Sequence, residues 1–217
     1  METNEKNDLL SFAQKVGEKG FLLPSEVSVQ DFLVALHKTY QYCQDGYSVS
    51  IFQVVKIFFD NLSNHKMIQY GEIVKKRLLS YVDINEVLVQ RIKETIYAYD
   101  YCLFFPCICA GFSIVETIIT NNNLTEKTNQ KVLFEEMIAL KKQPKSIECD
   151  LQIANLRGFL SGVTCRYCFT AEEPELINRH WILHGRSEKA IDKIDCLYIL
   201  FLIDSLISLQ GFLSNKT

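Results

Sequence analysis

Asn178-Arg179-His180-Trp181-Ile182-Leu183-His184-Gly185-Arg186 gathers two histidines, two arginines and a glycine into nine residues, and a long apolar run follows it. No other stretch concentrates reactive groups so densely. Pro174 suits the first turn of a helix, where the N–H it lacks would have no intrahelical partner, and Glu172, Glu173 and Glu175 suit the positive end of the dipole. A helix is therefore predicted to begin near Pro174. Gly185 falls where that helix must end, because the residue just past a last turn adopts a left-handed conformation cheaply only as glycine. His184 then occupies the last turn, beside carbonyls that favour a positive charge, and Ser187 is placed to cap the next helix.

Within this stretch His180 and His184, four apart, share a helix face, whereas Arg179 and His184 diverge by roughly 140° on an ideal helix. Bringing Arg179 and His184 to one point requires the reach of the arginine, the break at Gly185, or a second copy of the chain.

Outward from the motif, the pattern is helical throughout. The run Cys196 to Ile203, eight residues before Asp204, and the run Cys102 to Val115, about fourteen with Pro106 inside, are both shorter than the roughly twenty residues of a membrane span. Both read as buried core helices, and the terminal one is also a candidate oligomer surface. Toward the amino terminus, helices are predicted over residues 7–18, ended by Gly17 and Gly20; over 28–44, capped by Ser28, with Phe32, Leu33, Leu36 and Tyr40 on one side; over 48–62, with Ile51, Val54, Val55, Phe58 and Phe59; and over 65–81. Asp83 is placed to cap a helix through Ile92, Ile96 and Tyr99 that continues, kinked at Pro106, to Thr120. Asn121-Asn122-Asn123 breaks it, and helices over 126–142 and 147–161 follow, the last ending near Gly162. The fold class expected is all-α, a helical bundle, with no repeat, low-complexity tract or flexible linker. The one internal boundary lies near 80–83, separating an amino-terminal helical region, 1–82, from a carboxy-terminal bundle, 83–217.

Composition narrows the function. Hydrophobic residues make up 48% of the chain, enough for a substantial core. The net charge of −3 excludes a nucleic-acid binder that works through an overall positive field, and residues 145–193 hold seven basic and seven acidic side chains, so any phosphate contact is a local patch. The first eight residues lack the basic-then-apolar pattern of a secretory signal, and Cys43, Cys102, Cys107, Cys109, Cys149, Cys165, Cys168 and Cys196 lie mostly among apolar neighbours. Both point to a cytoplasmic chain with free thiols and no disulfides. No glycine loop is present to cradle a nucleotide, and no family-specific signature of a nucleophilic cysteine surrounds Cys165 or Cys168.

Arg179, four intervening residues and His184, with polar His180 directly after the arginine, resemble the arginine–histidine motif of HEPN domains. The string Asn178-Arg179-His180-x-x-Leu183-His184-Gly185, followed by a hydrophobic helix, is similar to versions found in bacterial abortive-infection and phage-defence proteins. The resemblance implies a HEPN-like helical bundle over 83–217 and a homodimer through that carboxy-terminal bundle. It also implies a metal-independent endoribonuclease, without cofactor, acting in prokaryotic defence or as a toxin with an antitoxin. Arg179 would hold the scissile phosphate and His184 would move protons while the RNA 2′-hydroxyl attacks; Asn178, His180 and Arg186 would support them. Since the family also includes domains that bind RNA or protein without cutting, a noncatalytic module with a regulatory protein partner is the alternative. A third reading is metal: Cys165-x2-Cys168, eleven residues, then His180-x3-His184 nearly reproduce a two-Cys, two-His zinc pattern, although the segment between the pairs supplies little apolar core.

Ordinary roles stand beside these. Arg179 and Arg186 are each able to pair with Glu173 or Asp192, and Trp181 reads as a core or interface anchor before a base-stacking platform. Asp204 is the oddity of the apolar run: it faces solvent, bonds the motif from a neighbouring helix, or pairs across a dimer.

Overall fold

Apolar spacing of three and four residues becomes helix wherever the chain is described. In the computed structural model the described residues are 3–18, 20, 22, 64–81, 85–120, 134–136, 138–139, 147–164, 172–173 and 177–214; among them every element is a helix and none is a strand. In chain order the helices are α1 (Thr3–Glu18), α2 (Asn64–Ser80), α3 (Glu86–Asp100), α4 (Phe104–Thr120), α5 (Ile147–Val163), α6 (Arg179–Leu183) and α7 (Lys193–Ser214). Residues 134–136 and 138–139 are helical as well, inside the span predicted over 126–142. The helices predicted over 28–44 and 48–62, and the break at Asn121-Asn122-Asn123, lie outside the described residues. No described helix is long and apolar enough to cross a membrane.

The chain divides into two compact units: residues 1–70 with 144–162, and residues 71–143 with 163–217. In the first unit, α1 buries Leu9, Phe12, Ala13 and Val16, one stripe of a helix, and α5 buries Leu151, Ile153, Ala154, Leu156, Phe159 and Leu160. The two run in the same sense. Lys6 meets Asp150 at 2.5 Å near their starts, Asn155 Nδ2 donates to the carbonyl of Ala13 at 3.1 Å, and Gly17 and Gly158 lie against each other's helix backbones further along. Of the two glycines expected to end the first helix, Gly17 is instead a buried member of α1, which ends at Glu18, whereas the chain turns at Gly20, whose φ is 86°.

In the second unit α7 is the central helix. Its side chains from Cys196 to Ile207 are buried apart from a half-buried Tyr198, so the apolar run is a core helix, as its length predicts. α4 packs against α3 and α7, with Gly111 allowing close approach of Ile199. The expected single helix kinked at Pro106 is two helices. α3 is capped by Asn85, whose Oδ1 accepts from Val87 N at 2.8 Å, and it ends at Asp100. Asp83 lies outside the described residues. Cys102 adopts a φ of 58°, and bonds from Cys102 N to Tyr99 O and Leu103 N to Ala98 O close the end of α3 in a left-handed cap. Pro106 then falls in the first turn of α4, where a missing N–H costs nothing.

Candidate functional site

Residues 177–195 of the second unit carry the motif. Helix α6 is only five residues long and begins at Arg179, not near Pro174, which lies outside the described residues. The reason is Asn178. It takes an extended conformation (φ −126°, ψ 124°), and its buried side-chain oxygen accepts from His180 N at 3.0 Å and Trp181 N at 3.3 Å, so it is the amino-terminal cap. The end is as the sequence predicts. His184 is the carboxy-terminal cap and Gly185 follows with a φ of 66°, while Gly185 N bonds Ile182 O and Arg186 N bonds Trp181 O.

This short turn sets the four polar side chains in different places. His180 and His184, on one face, form an edge-to-face pair with ring centroids 4.5 Å apart; His184 is exposed and His180 half-buried. Arg186 stacks over the ring of Trp181 at 4.6 Å. Trp181 is 8% exposed, which bears out an anchor in the core, and its Nε1 has no acceptor among the described residues. Arg179 pairs with Glu116 on α4. Burial lowers the pKa of Arg179 without threatening its charge, and its Nε is buried with no acceptor among the described residues. No contact joins Arg179 to His184 within the described chain.

Three expected partnerships are replaced. Glu173 accepts from Ser187 Oγ at 2.5 Å and Glu188 N at 3.0 Å, so it pairs with neither arginine. Ser187 therefore does not cap the next helix. Asp192 does, its Oδ1 accepting from Ile194 N at 2.7 Å and Asp195 N at 3.0 Å. Asp204 does not face solvent. At 1% exposure it receives Arg77 Nε at 2.7 Å and Nη2, and Tyr81 Oη at 3.1 Å, while Tyr81 also bonds Ser208 at 2.9 Å.

Glu116, the residue that sequence reasoning missed, left a signal. It is the only charged residue of α4, and a lone carboxylate in an apolar helix has to find a cation. Of the zinc reading, Cys165 and Cys168 lie outside the described residues. A cavity of about 250 Å³ beside the turn, lined by Ile177, Ile182, Ser187, Lys189, Ala190, Ile191 and Asp195, is below the usual size of a ligand pocket. Fold and site together define an all-helical protein with an arginine- and histidine-bearing turn capped at both ends. Comparison with protein-family models, curated proteins and solved structures finds no match for the chain.

Proposed function

We propose that the protein is a metal-independent endoribonuclease of the HEPN type, acting as a homodimer through its carboxy-terminal bundle in prokaryotic defence or toxin–antitoxin function. The observation that carries this reading is the imidazole pair of half-buried His180 and exposed His184, held on the same capped turn as Arg179. The 2′-oxygen of RNA attacks phosphorus and gives its proton to a neutral imidazole. The bond from phosphorus to the 5′-oxygen breaks, and a protonated imidazole supplies the proton that the leaving oxygen needs. Products are a 2′,3′-cyclic phosphate and a 5′-hydroxyl. Arg179 neutralises the charge that builds on the phosphoryl oxygens. One histidine cannot act as base and acid at once; His180 supplies a second titratable ring in the same chain, and a second copy supplies its own His184.

The Arg179–Glu116 pair favours a second reading, a noncatalytic HEPN-like module that binds RNA or protein. Cleavage of a mixed labelled RNA pool in excess EDTA separates the two. The unchanged chain is expected to leave cyclic phosphate ends, and folded His184→Ala and Arg179→Ala variants to lose about 10²-fold or more in rate. Absence of cleavage by the unchanged chain across pH and salt would transfer the conclusion to the binding module.

A further inference from the structure

Glu116 stands where a substrate phosphate would have to stand. Arg179 lies on α6 and Glu116 on α4, two packed helices of the second unit, and their side chains remain 31% and 33% exposed. The pair is thus partly exposed to solution, although Arg179 Nε itself is covered. Glu116 engages Nη2 of the guanidinium, while Nε, the other donor on the edge that suits a two-oxygen acceptor, is buried without one among the described residues. The fork is half filled. A phosphodiester presents two unesterified oxygens in the spacing that a guanidinium fork accepts, and so satisfies a donor that the carboxylate leaves unmet.

We infer that Glu116 is the resting counter-anion of Arg179, and that a nucleic-acid phosphodiester enters the site by displacing it. This rests on the reading that Arg179 holds a phosphate. Exchange is feasible because a partly solvated ion pair contributes little and its carboxylate is readily rehydrated on release. Glu116 thereby sets the threshold for binding, because an incoming phosphodiester has to compete with its carboxylate for the guanidinium.

The test uses full-length protein and a fully 2′-deoxy single strand, which binds but lacks the attacking hydroxyl. Glu116→Gln is expected to bind it about threefold to tenfold tighter than the unchanged chain, the size of a surface ion pair. That gain should vanish when Arg179→Ala is already present, which a general change in charge would not do. Glu94→Gln, removing one negative charge from exposed α3, should leave affinity nearly unchanged. Glu116→Asp, which keeps the charge but shortens the reach, should fall between, and covers the case in which Glu116→Gln does not fold. Equal affinity for Glu116→Gln, or the same gain in the Arg179→Ala background, overturns the inference. If the strand binds in this pattern yet RNA is never cut, the ribonuclease reading fails and the exchange stands; if RNA is cut but Glu116→Gln binds no tighter, the reverse holds.

Discussion

Asp204 shows how a single residue is misjudged from sequence. It is the only charge in the apolar run from 196 to 214, and that much was legible. Its partners were not, because Arg77 on α2 and Tyr81 just past the end of that helix are far away in the chain. A faint pattern was present: Arg77 and Tyr81 are four apart, as are Asp204 and Ser208, so two helices running side by side bring two polar pairs into register. Replacing Asp204 with alanine removes the shared acceptor of a guanidinium and a phenol. We expect a loss of about 3 kcal/mol in urea unfolding, the low end for a broken buried pair because Arg77 keeps some water. Removing both charges, as Arg77→Met with Asp204→Leu, should restore most of that loss, since desolvation of the charges is no longer required. A double variant no more stable than Asp204→Ala would show that the ion pair is not what matters there.

Among elements, the approach of α1 and α5 carries the sharpest expectation. A Cβ added at Gly158 would meet the backbone of Gln14 and Glu18, the Glu18 nitrogen at 2.8 Å, and one added at Gly17 would lie 2.6 Å from Phe159 N. Neither neighbour is a flexible side chain. Alanine in place of a helical glycine usually stabilises by about 1 kcal/mol. Here the opposite sign is expected, because the helices must move apart and lose contact: Gly158→Ala should destabilise by about 1–3 kcal/mol net, read as a lower thermal midpoint. An unchanged or higher midpoint would mean the helices do not cross so closely. Sequence alone sees Gly17 as a helix terminator, since a glycine tolerated for packing and one used to end a helix carry the same letter. The same limit governs α6, where Asn178 takes the capping role that Pro174 and its acidic neighbours suggested for an earlier start.

For the whole molecule, buried and half-buried tyrosines make stability depend on alkaline pH. Burial raises the pKa values of Tyr81, Tyr99 and Tyr198 above the ordinary 10. Each folded phenol holds its proton more tightly than the unfolded chain does, so its contribution is complete below pH 10 and is lost as pH rises toward the raised values. The thermal midpoint should therefore fall steadily above pH 10, with tyrosinate absorbance appearing as the chain unfolds. Full ionisation of all tyrosines before any loss of helix would contradict this. At this scale the sequence by itself determined the helical class, the core character of the terminal run and the end of the motif turn at Gly185, because each follows from hydrogen bonds and side-chain periods spanning a few residues. Only the tertiary structure decided that residues 144–162 cluster with 1–70, that Asp204 answers Arg77, and that Arg179 answers Glu116. Those choices depend on which helix faces meet, and a buried or half-buried charge selects its partner by distance in space, which local sequence does not encode.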